Sequence, residues 1–352
     1  MKKEQKKKLQ YIKHKSFGIL LIPLAFFYRA MIFWRNFFYN VGFFVSKRLP
    51  CIVVSVGNLS VGGTGKTPTV IYIASTLQNS GKRVAVLSRG YGRKSKGTVL
   101  VSNGKGEIVS WREGGDEPVL IAKKLPQIPI VSDENRIRGG QFLIEHFNPD
   151  YIILDDGFQH RAIERDLDIV LINAQSDEKN HTLLPFGMLR EPINQLTRAD
   201  IIFLTKTNLG NAKPSLPTNL SVAIFNSSIL TQETLKGMAG EALSINEIST
   251  KKVFAVSGLG DPVSFHSTLT QIGAQLSGHF TKPDHYNYTN NDLIEIKNCA
   301  EDSGADYILT TEKDLIKLSE LKASDIQIFA VPIKFQPDVD GRNQLLKMLT
   351  LN

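Results

Sequence analysis

The chain has 352 residues, 42% hydrophobic and 22% charged, which excludes a disordered chain and leaves room for two domains of ordinary size. Its two cysteines, Cys51 and Cys299, imply no disulfide framework and fit a reducing compartment. The net charge of +8 points to nucleic acid at first sight, but residues 1–48 hold eleven Lys+Arg against one acid, and the rest holds 31 against 33; a near-neutral body without a basic stripe excludes a track for a long polyphosphate.

The basic arm comes first. Seven lysines crowd the first fifteen residues, and an apolar stretch from Phe17 to Phe44 follows, interrupted by Arg29 and Arg35. Phe26, Phe27, Tyr28, Phe33, Trp34, Phe37, Phe38, Tyr39, Phe43 and Phe44 make it aromatic. The longest charge-free run, Ser16–Tyr28, has 13 residues, too short for a spanning helix, which needs about 20. A basic segment before an apolar one also describes a signal peptide, but no small-x-small cleavage site follows. The pattern predicts an amphipathic helix in a membrane interface over residues 1–48, with anionic lipid attracting the lysines. Packing of the same helix on the body is the competing expectation.

From Pro50 onward short β-rich runs alternate with helical stretches. The strand Cys51–Val56 runs into Ser60-Val61-Gly62-Gly63-Thr64-Gly65-Lys66-Thr67, and a helix over Thr67–Asn79 follows. Strand, glycine loop, Lys-Thr and helix in that order predict a phosphate loop. Glycines let backbone N–H groups curl around phosphate oxygens. Lys66 would reach the β- and γ-phosphates of a nucleotide and Thr67 would bind Mg²⁺. The consensus begins with glycine, and Ser60 stands there.

A strand over Arg83–Leu87 leads into Ser88-Arg89-Gly90-Tyr91-Gly92-Arg93, two arginines among glycines suited to an anion. A strand over Thr98–Val101 follows. Gly115-Asp116-Glu117-Pro118 opens a helix over Pro118–Leu125. Asp116 there is a helix cap or a carboxylate base for a hydroxyl proton, and pattern alone leaves both open. Strands are predicted over Ile128–Val131, Tyr151–Leu154, Asp168–Ile172 and Ile201–Leu204, with a helix over Glu134–Phe147. The apolar run Tyr151–Leu154 ends in Asp155-Asp156, a Walker B-like pair for Mg²⁺. Gly157-Phe158-Gln159-His160 follows directly. The apolar loop Leu183–Pro192 carries Arg190 and Glu191.

Alternating strands and helices predict an α/β fold with a mostly parallel sheet. Residues 208–220, rich in Asn, Pro and Gly, read as a linker or hairpin. The expected organisation is thus an arm at 1–48, a P-loop NTPase-like lobe at 49–207, and a second, smaller α/β lobe at 221–352. That lobe has predicted strands over Ser221–Phe225, Lys252–Val256, Tyr307–Leu309 and Gln327–Ala330. Its predicted helices cover Pro262–Ile272, Asn291–Asp302 and Gly341–Leu349. Pro283-Asp284-His285-Tyr286 lies in one of its polar loops. Two lobes make the cleft between them the expected ligand site.

Together these segments resemble the lipid A 4′-kinase (tetraacyldisaccharide 4′-kinase) family. The matching text is VGNLSVGGTGKTP at 56–68, SRGYGR at 88–93, GDEP at 115–118, DDGFQH at 155–160 and LLPFGMLREP at 183–192. It continues with SGLGDP at 257–262, DHYNY at 284–288 and TTEKD at 310–314. The family loop resembles this one in lacking the first glycine. The resemblance implies ATP- and Mg²⁺-dependent phosphorylation of the 4′-hydroxyl of a tetraacyldisaccharide 1-phosphate at the cytoplasmic face of a bacterial inner membrane. It implies Lys66 and Thr67 for Mg-ATP, Asp155 and Asp156 for the metal, and Asp116 as base supported by His285. Arg89, Arg93 and Arg190 are the weaker candidates for the substrate's anionic and sugar groups. No nucleic acid is expected, and no feature demands more than a monomer.

The alternative is a membrane-associated regulatory ATPase of the deviant-Walker kind. Such loops carry a lysine where Val61 stands. A GTPase is disfavoured because Thr205-Lys206-Thr207-Asn208 lacks the leading Asn and the Asp of a guanine reader.

Overall fold

The structure, a computed structural model, describes residues 22–176, 182–210, 214, 216–217, 219–321 and 326–351. The lysine-rich residues 1–21 lie outside that set. Residues 22–40 form helix α1. Strand β1 (Ile52–Asn58) leads through the glycine loop into α2 (Lys66–Asn79). The chain continues through β2 (Val84–Ser88), β3 (Val99–Asn103), the short α3 (Trp111–Gly114), α4 (Asp116–Lys124), β4 (Pro129–Ser132), α5 (Arg136–Phe147), β5 (Tyr151–Asp155), β6 (Leu167–Asn173), β7 (Ile201–Thr205) and β8 (Ala223–Thr231).

These strands build a nine-stranded sheet in the order β15-β8-β7-β6-β1-β5-β2-β4-β3, where β15 is Ile333–Pro337 near the C-terminus. Every pairing between β8 and β4 is parallel, and only the edge strands β15 and β3 are antiparallel. A parallel sheet covered on both faces needs strands apolar on both sides. β1 meets that demand, with Val53, Val54 and Val56 buried. Helix α2 turns Val70, Ile73, Ala74 and Leu77 onto this core at helical spacing. Burying Val70, Ile73 and Leu77 stabilises by about 1.5–3 kcal/mol each relative to exposure. β1 pairs with β5 on one side and β6 on the other, so the chain reverses direction across the sheet there. Ligands of open α/β sheets bind beyond the C-terminal strand ends at such a point.

The second sheet contains β9 (Thr234–Gly237), β10 (Ala242–Ser244), β11 (Lys252–Gly258), β12 (Gln275–Lys282), β13 (Tyr307–Thr311) and β14 (Ile328–Val331). Its order is β10-β9-β14-β13-β11-β12. The short α6 (Ile245–Ile248), then α7 (Pro262–Gln271), α8 (Asn290–Asp302) and α9 (Glu312–Leu318) connect these strands, and α10 (Val339–Leu351) ends the chain. The expected boundary at residue 221 needs correction. β8 pairs with β7 in the large sheet, so residues 208–220 connect two strands of one sheet. The chain crosses to the small sheet after β8 and returns at β15. α10 also belongs to the first body: Leu345 and Leu349 join its core, and Tyr151 Oη donates to Leu349 O at 2.8 Å. The segment 208–220 is thus neither a linker between lobes nor a hairpin, because β7 and β8 run parallel, and composition carries no signal for where a sheet ends.

No helix among the described residues is long and apolar enough to cross a membrane. α1 divides its two faces. Phe26, Phe27 and Phe33 are 74%, 68% and 61% exposed, while Ile32 and Asn36 are buried. Its inner face docks by polar contacts. Arg35 reaches the fully buried Glu191 at 2.5 Å, Asn36 Nδ2 donates to Glu191 at 3.2 Å, and Tyr28 Oη donates to Arg190 O at 2.8 Å. The packing expectation holds for the inner face, and the outer face leaves its aromatic rings exposed.

Candidate active site

The glycine loop turns at two of its glycines. Gly62 and Gly65 have φ of 110° and 86°, a left-handed region that glycine enters without a Cβ clash. Asn58 Nδ2 donates to Thr64 Oγ1 at 2.9 Å, and Thr205 Oγ1 donates to Thr64 O at 2.9 Å, pinning the loop to β1 and β7. Residues Val61 through Thr67 line a cleft of about 810 Å³ between the two sheets. Ser60 does not line it. It bridges to Leu189, and the neighbouring Val61 N–H donates to Met188 O at 2.7 Å. The apolar loop 183–192 therefore buttresses the outer end of the phosphate loop.

Lys66 extends from the first turn of α2 into the cleft, with Nζ 3.4 Å from Asn58 Oδ1 and 3.7 Å from Asp156 Oδ1. Thr67 follows it on the cleft wall. β5 brings Asp155 and Asp156 to the same place. Asp155 accepts from Ser88 Oγ at 3.0 Å, while its Oδ1 is buried without a hydrogen-bond partner. Burial, then the charges of Glu117 and Asp156, push its carboxyl up to about 7. Asp156 stands at φ 54° and receives the Arg190 guanidinium at 2.7 Å. Burial works to raise its pKa, but Lys66 and Arg190 outweigh it and hold the carboxyl below its ordinary value.

The raised Asp155 value has a measurable consequence. A carboxyl whose folded value exceeds its unfolded one stabilises the fold fully below the unfolded value, and that stability is lost as pH rises through the folded value. The window here runs from 3.8 to about 7. Within it the loss is roughly 1.4 kcal/mol per pH unit. Asp155→Asn does not titrate, so its stability relative to wild type should climb across that window and level off above it. Urea denaturation of the metal-free protein at several pH values checks this; a difference independent of pH would contradict it.

A second group of charges faces the loop across the cleft. The helix cap at α4 is Gly115, not Asp116, which is the first helical residue. Gly115 and Gly90 meet so closely that a Cβ on Gly115 would lie 2.8 Å from Gly90 Cα, which joins GDEP to SRGYGR. Asp116 is 3% exposed. Its Oδ1 accepts from Glu117 N–H at 2.9 Å. His285 Nδ1 lies 3.1 Å and 3.0 Å from its two oxygens, and Lys317 Nζ lies 2.7 Å from Oδ2. Burial works to raise the Asp116 pKa, but His285, Lys313 and Lys317 prevail and hold it well below the usual carboxylate range. His285 comes from the loop after β12, at φ 59°, with its ring 4.7 Å from that of Tyr91. The structure thus brings the GDEP aspartate and the DHYNY histidine together.

The arginines separate into different roles. Arg190 and Arg89 line the cleft, and Arg89 is exposed. Arg93 does not line it, contrary to the expectation of a substrate contact. It donates to Ser132 O at 2.8 Å and Gly97 O at 2.6 Å and pairs with Glu134, so it holds the SRGYGR loop in shape. Sequence reasoning missed Arg136, which is 3% exposed at the start of α5. Its Nη2 donates to Asp155 O at 3.4 Å and its Nε has no partner. Burial, only partly offset by Asp155 and Asp156, pushes it down to about 10. His160, also on the cleft wall, is pushed down to about 4 by burial and then by Arg136 and Arg165. It is neutral near pH 7. Lys206 and Asp261 on the cleft wall pair at 2.7 Å, the lysine buried and the carboxylate half-buried. SGLGDP touches the phosphate loop directly: a Cβ on Gly260 would lie 2.9 Å from Gly62 Cα.

Residues 17–350 match the family model described as tetraacyldisaccharide-1-P 4'-kinase. A tetraacyldisaccharide 4'-kinase from Syntrophus aciditrophicus (strain SB) is 39% identical over 352 residues, covering 95% of this chain and 93% of that protein. One from Aquifex aeolicus (strain VF5) is 39% identical over 335 residues, covering 94% and 97%. Among solved structures, that of LpxK from Aquifex aeolicus in complex with ATP superposes with a TM-score of 0.75 at 38% identity, covering 94% of this chain and 97% of the other.

Proposed function

The chain belongs to the tetraacyldisaccharide-1-P 4'-kinase family and is a kinase, and on that premise we propose that it transfers the terminal phosphoryl group of ATP to the 4′-hydroxyl of a tetraacyldisaccharide 1-phosphate. The product is the bisphosphorylated lipid A precursor. The observation that carries this reading is one cleft lined by the glycine loop, Asp155, Asp156 and His285, with Asp116 buried directly behind His285 at 3.0 Å rather than on the cleft wall.

Lys66 and the loop backbone bind the nucleotide's β- and γ-phosphates. The acceptor hydroxyl gives its proton to the Asp116–His285 pair, with Asp116 as base and His285 supporting it. The hydroxyl oxygen bonds to the γ-phosphorus, and the bond to the bridging oxygen breaks with its electron pair leaving on ADP. Arg89 and Arg190 contact the anionic and sugar groups of the acceptor. Mg²⁺ fits the donors at the loop end, because Asp155 Oδ1 is buried and unpartnered. Thr67, Asp155 and Asp156 would hold it. The described residues contain no cluster of three or more His, Cys, Asp or Glu able to hold a metal alone. When bound, the ion offsets charge on the phosphoryl oxygens.

The outer aromatic face of α1 rests on the cytoplasmic surface of the inner membrane, where the acylated acceptor is anchored. Replacing Phe26, Phe33 and Phe37 together by Ser leaves the Arg35, Asn36 and Glu191 contacts intact. With each ring burying apolar area in the interface, sedimentation with anionic vesicles should show binding weakened at least about tenfold. Unchanged binding would assign this face another role. The reaction itself is tested by following labelled γ-phosphate. Stoichiometric transfer to lipid is expected, whereas release of free phosphate without acceptor identifies a regulatory ATPase.

A further inference from the structure

Lys313, in the first turn of α9, has no assigned part in the reaction described above. It is buried, with Nζ 2.9 Å from Asp284 Oδ1, 3.4 Å from Glu117 Oε1 and 3.9 Å from Asp116 Oδ2. The same Nζ lies 3.2 Å from His285 Nε2. The His285 ring is therefore held between a cation on Nε2 and a carboxylate on Nδ1. An ammonium offers protons and no lone pair, so the nitrogen facing it carries none. The Asp116 carboxylate only accepts, so Nδ1 carries the ring's proton and donates it. These two contacts fix which ring nitrogen donates and which accepts.

We propose that Lys313 is a positioning residue for proton transfer: its ammonium keeps His285 Nε2 unprotonated and so preserves the Asp116–His285 pair as a proton acceptor. This rests on the reading of that pair as the base. The charged groups in the cluster are Asp116 and Glu117 from α4, Asp284 beside the histidine, and Lys313 and Lys317 from α9; the Tyr91 phenol covers the ring. Burial disfavours the ammonium of Lys313, but Glu117, Asp116 and Asp284 outweigh it and hold its pKa well above the ordinary lysine value. Without Lys313, Glu117 and Asp284 lose their lysine, and only Asp116 keeps one, Lys317. Nε2 then takes a proton, with Asp284 Oδ2 3.8 Å away to receive it as a partner. An imidazolium accepts no further proton and draws on the Asp116 charge as well. The phosphate loop is untouched, so the loss falls on turnover rather than on nucleotide binding.

The test uses the full chain with ¹⁵N-labelled histidine; there are seven, and His285→Gln identifies the signal. In wild type near pH 7, Nδ1 should be protonated and Nε2 bare. In Lys313→Met both nitrogens should be protonated, kcat should fall roughly a hundredfold, and KM for ATP should stay within about twofold. Lys313→Arg should retain the neutral ring and most of the rate. A wild-type ring protonated at Nε2 overturns the proposal without any variant, even if Lys313→Met does not fold. An unchanged ring or unchanged kcat in Lys313→Met overturns it too. Failure of the underlying base reading is distinct: Asp116→Asn would then keep wild-type kcat whatever the ring does.

Discussion

Lys66→Ala should remove phosphotransfer almost entirely. Its ammonium is the cation nearest Asp156 Oδ1 within the phosphate loop, at 3.7 Å, and it lies at the N-terminus of α2 where backbone N–H groups concentrate positive potential. Charge at the transferring phosphoryl group is stabilised mainly by such preplaced cations and donors. Removing one group of this kind costs about 3–4 kcal/mol of transition-state stabilisation, or 10²–10³ in rate. A second effect adds to it. Lys66 is the first cation opposing the burial of Asp156, so its loss also leaves that carboxylate less compensated. Lys66→Arg should not rescue fully, because a planar fork replaces a compact point charge. Single-turnover transfer with saturating lipid checks this. A wild-type rate in Lys66→Ala would remove the loop from the mechanism.

Asp116→Asn should reduce kcat by about 10²–10⁴ while leaving ATP affinity within a few-fold. The carboxamide preserves shape and removes the proton acceptor. The phosphate loop lies across the cleft and keeps its own contacts. Should ATP affinity collapse while turnover persists, Asp116 is a ligand rather than a base. The same substitution has a stability cost of predictable sign. The Asp116 value is lowered on folding, by His285, Lys313 and Lys317 against burial. A lowered carboxylate contributes stability above its unfolded value, lost as pH falls through the folded value. Asp116→Asn should therefore destabilise near neutral pH and approach wild type in strong acid. Circular dichroism alongside the kinetics separates loss of fold from loss of chemistry.

What was legible in the sequence follows from how local each signal is. The phosphate loop needs only a strand, glycines, Lys-Thr and a helix in succession, and those predictions hold from Ile52 to Asn79. Asp155 and Asp156 were legible because an apolar run ends on them at a strand terminus. β12, QLSGHFTK, was not legible, since its residues are mostly half-exposed and the alternation that marks a strand is absent. The return of β15 and α10 to the large sheet was not legible either, because no local feature says which sheet a strand joins. Charged residues divide in the same way. Arg93 looks like a ligand contact among glycines, yet it is consumed by Ser132, Gly97 and Glu134. Arg136 and Lys313 look like ordinary helix cations and prove to be buried against the cleft's carboxylates. Their environment is created by segments far apart in the chain. Asp116 and His285 were paired in advance, and that pairing came from the resemblance rather than from spacing.

On the proposed function, this cleft adds a phosphoryl group to the 4′-hydroxyl of an acylated disaccharide that already carries a 1-phosphate. Mass analysis of the product made from that lipid and ATP tests it most directly, with fragmentation locating the new group. The expected product is heavier by one phosphoryl group, with the new phosphate on the distal sugar and one ADP formed for each lipid converted. Unmodified lipid beside steady ADP formation, or a phosphate added elsewhere, would contradict it.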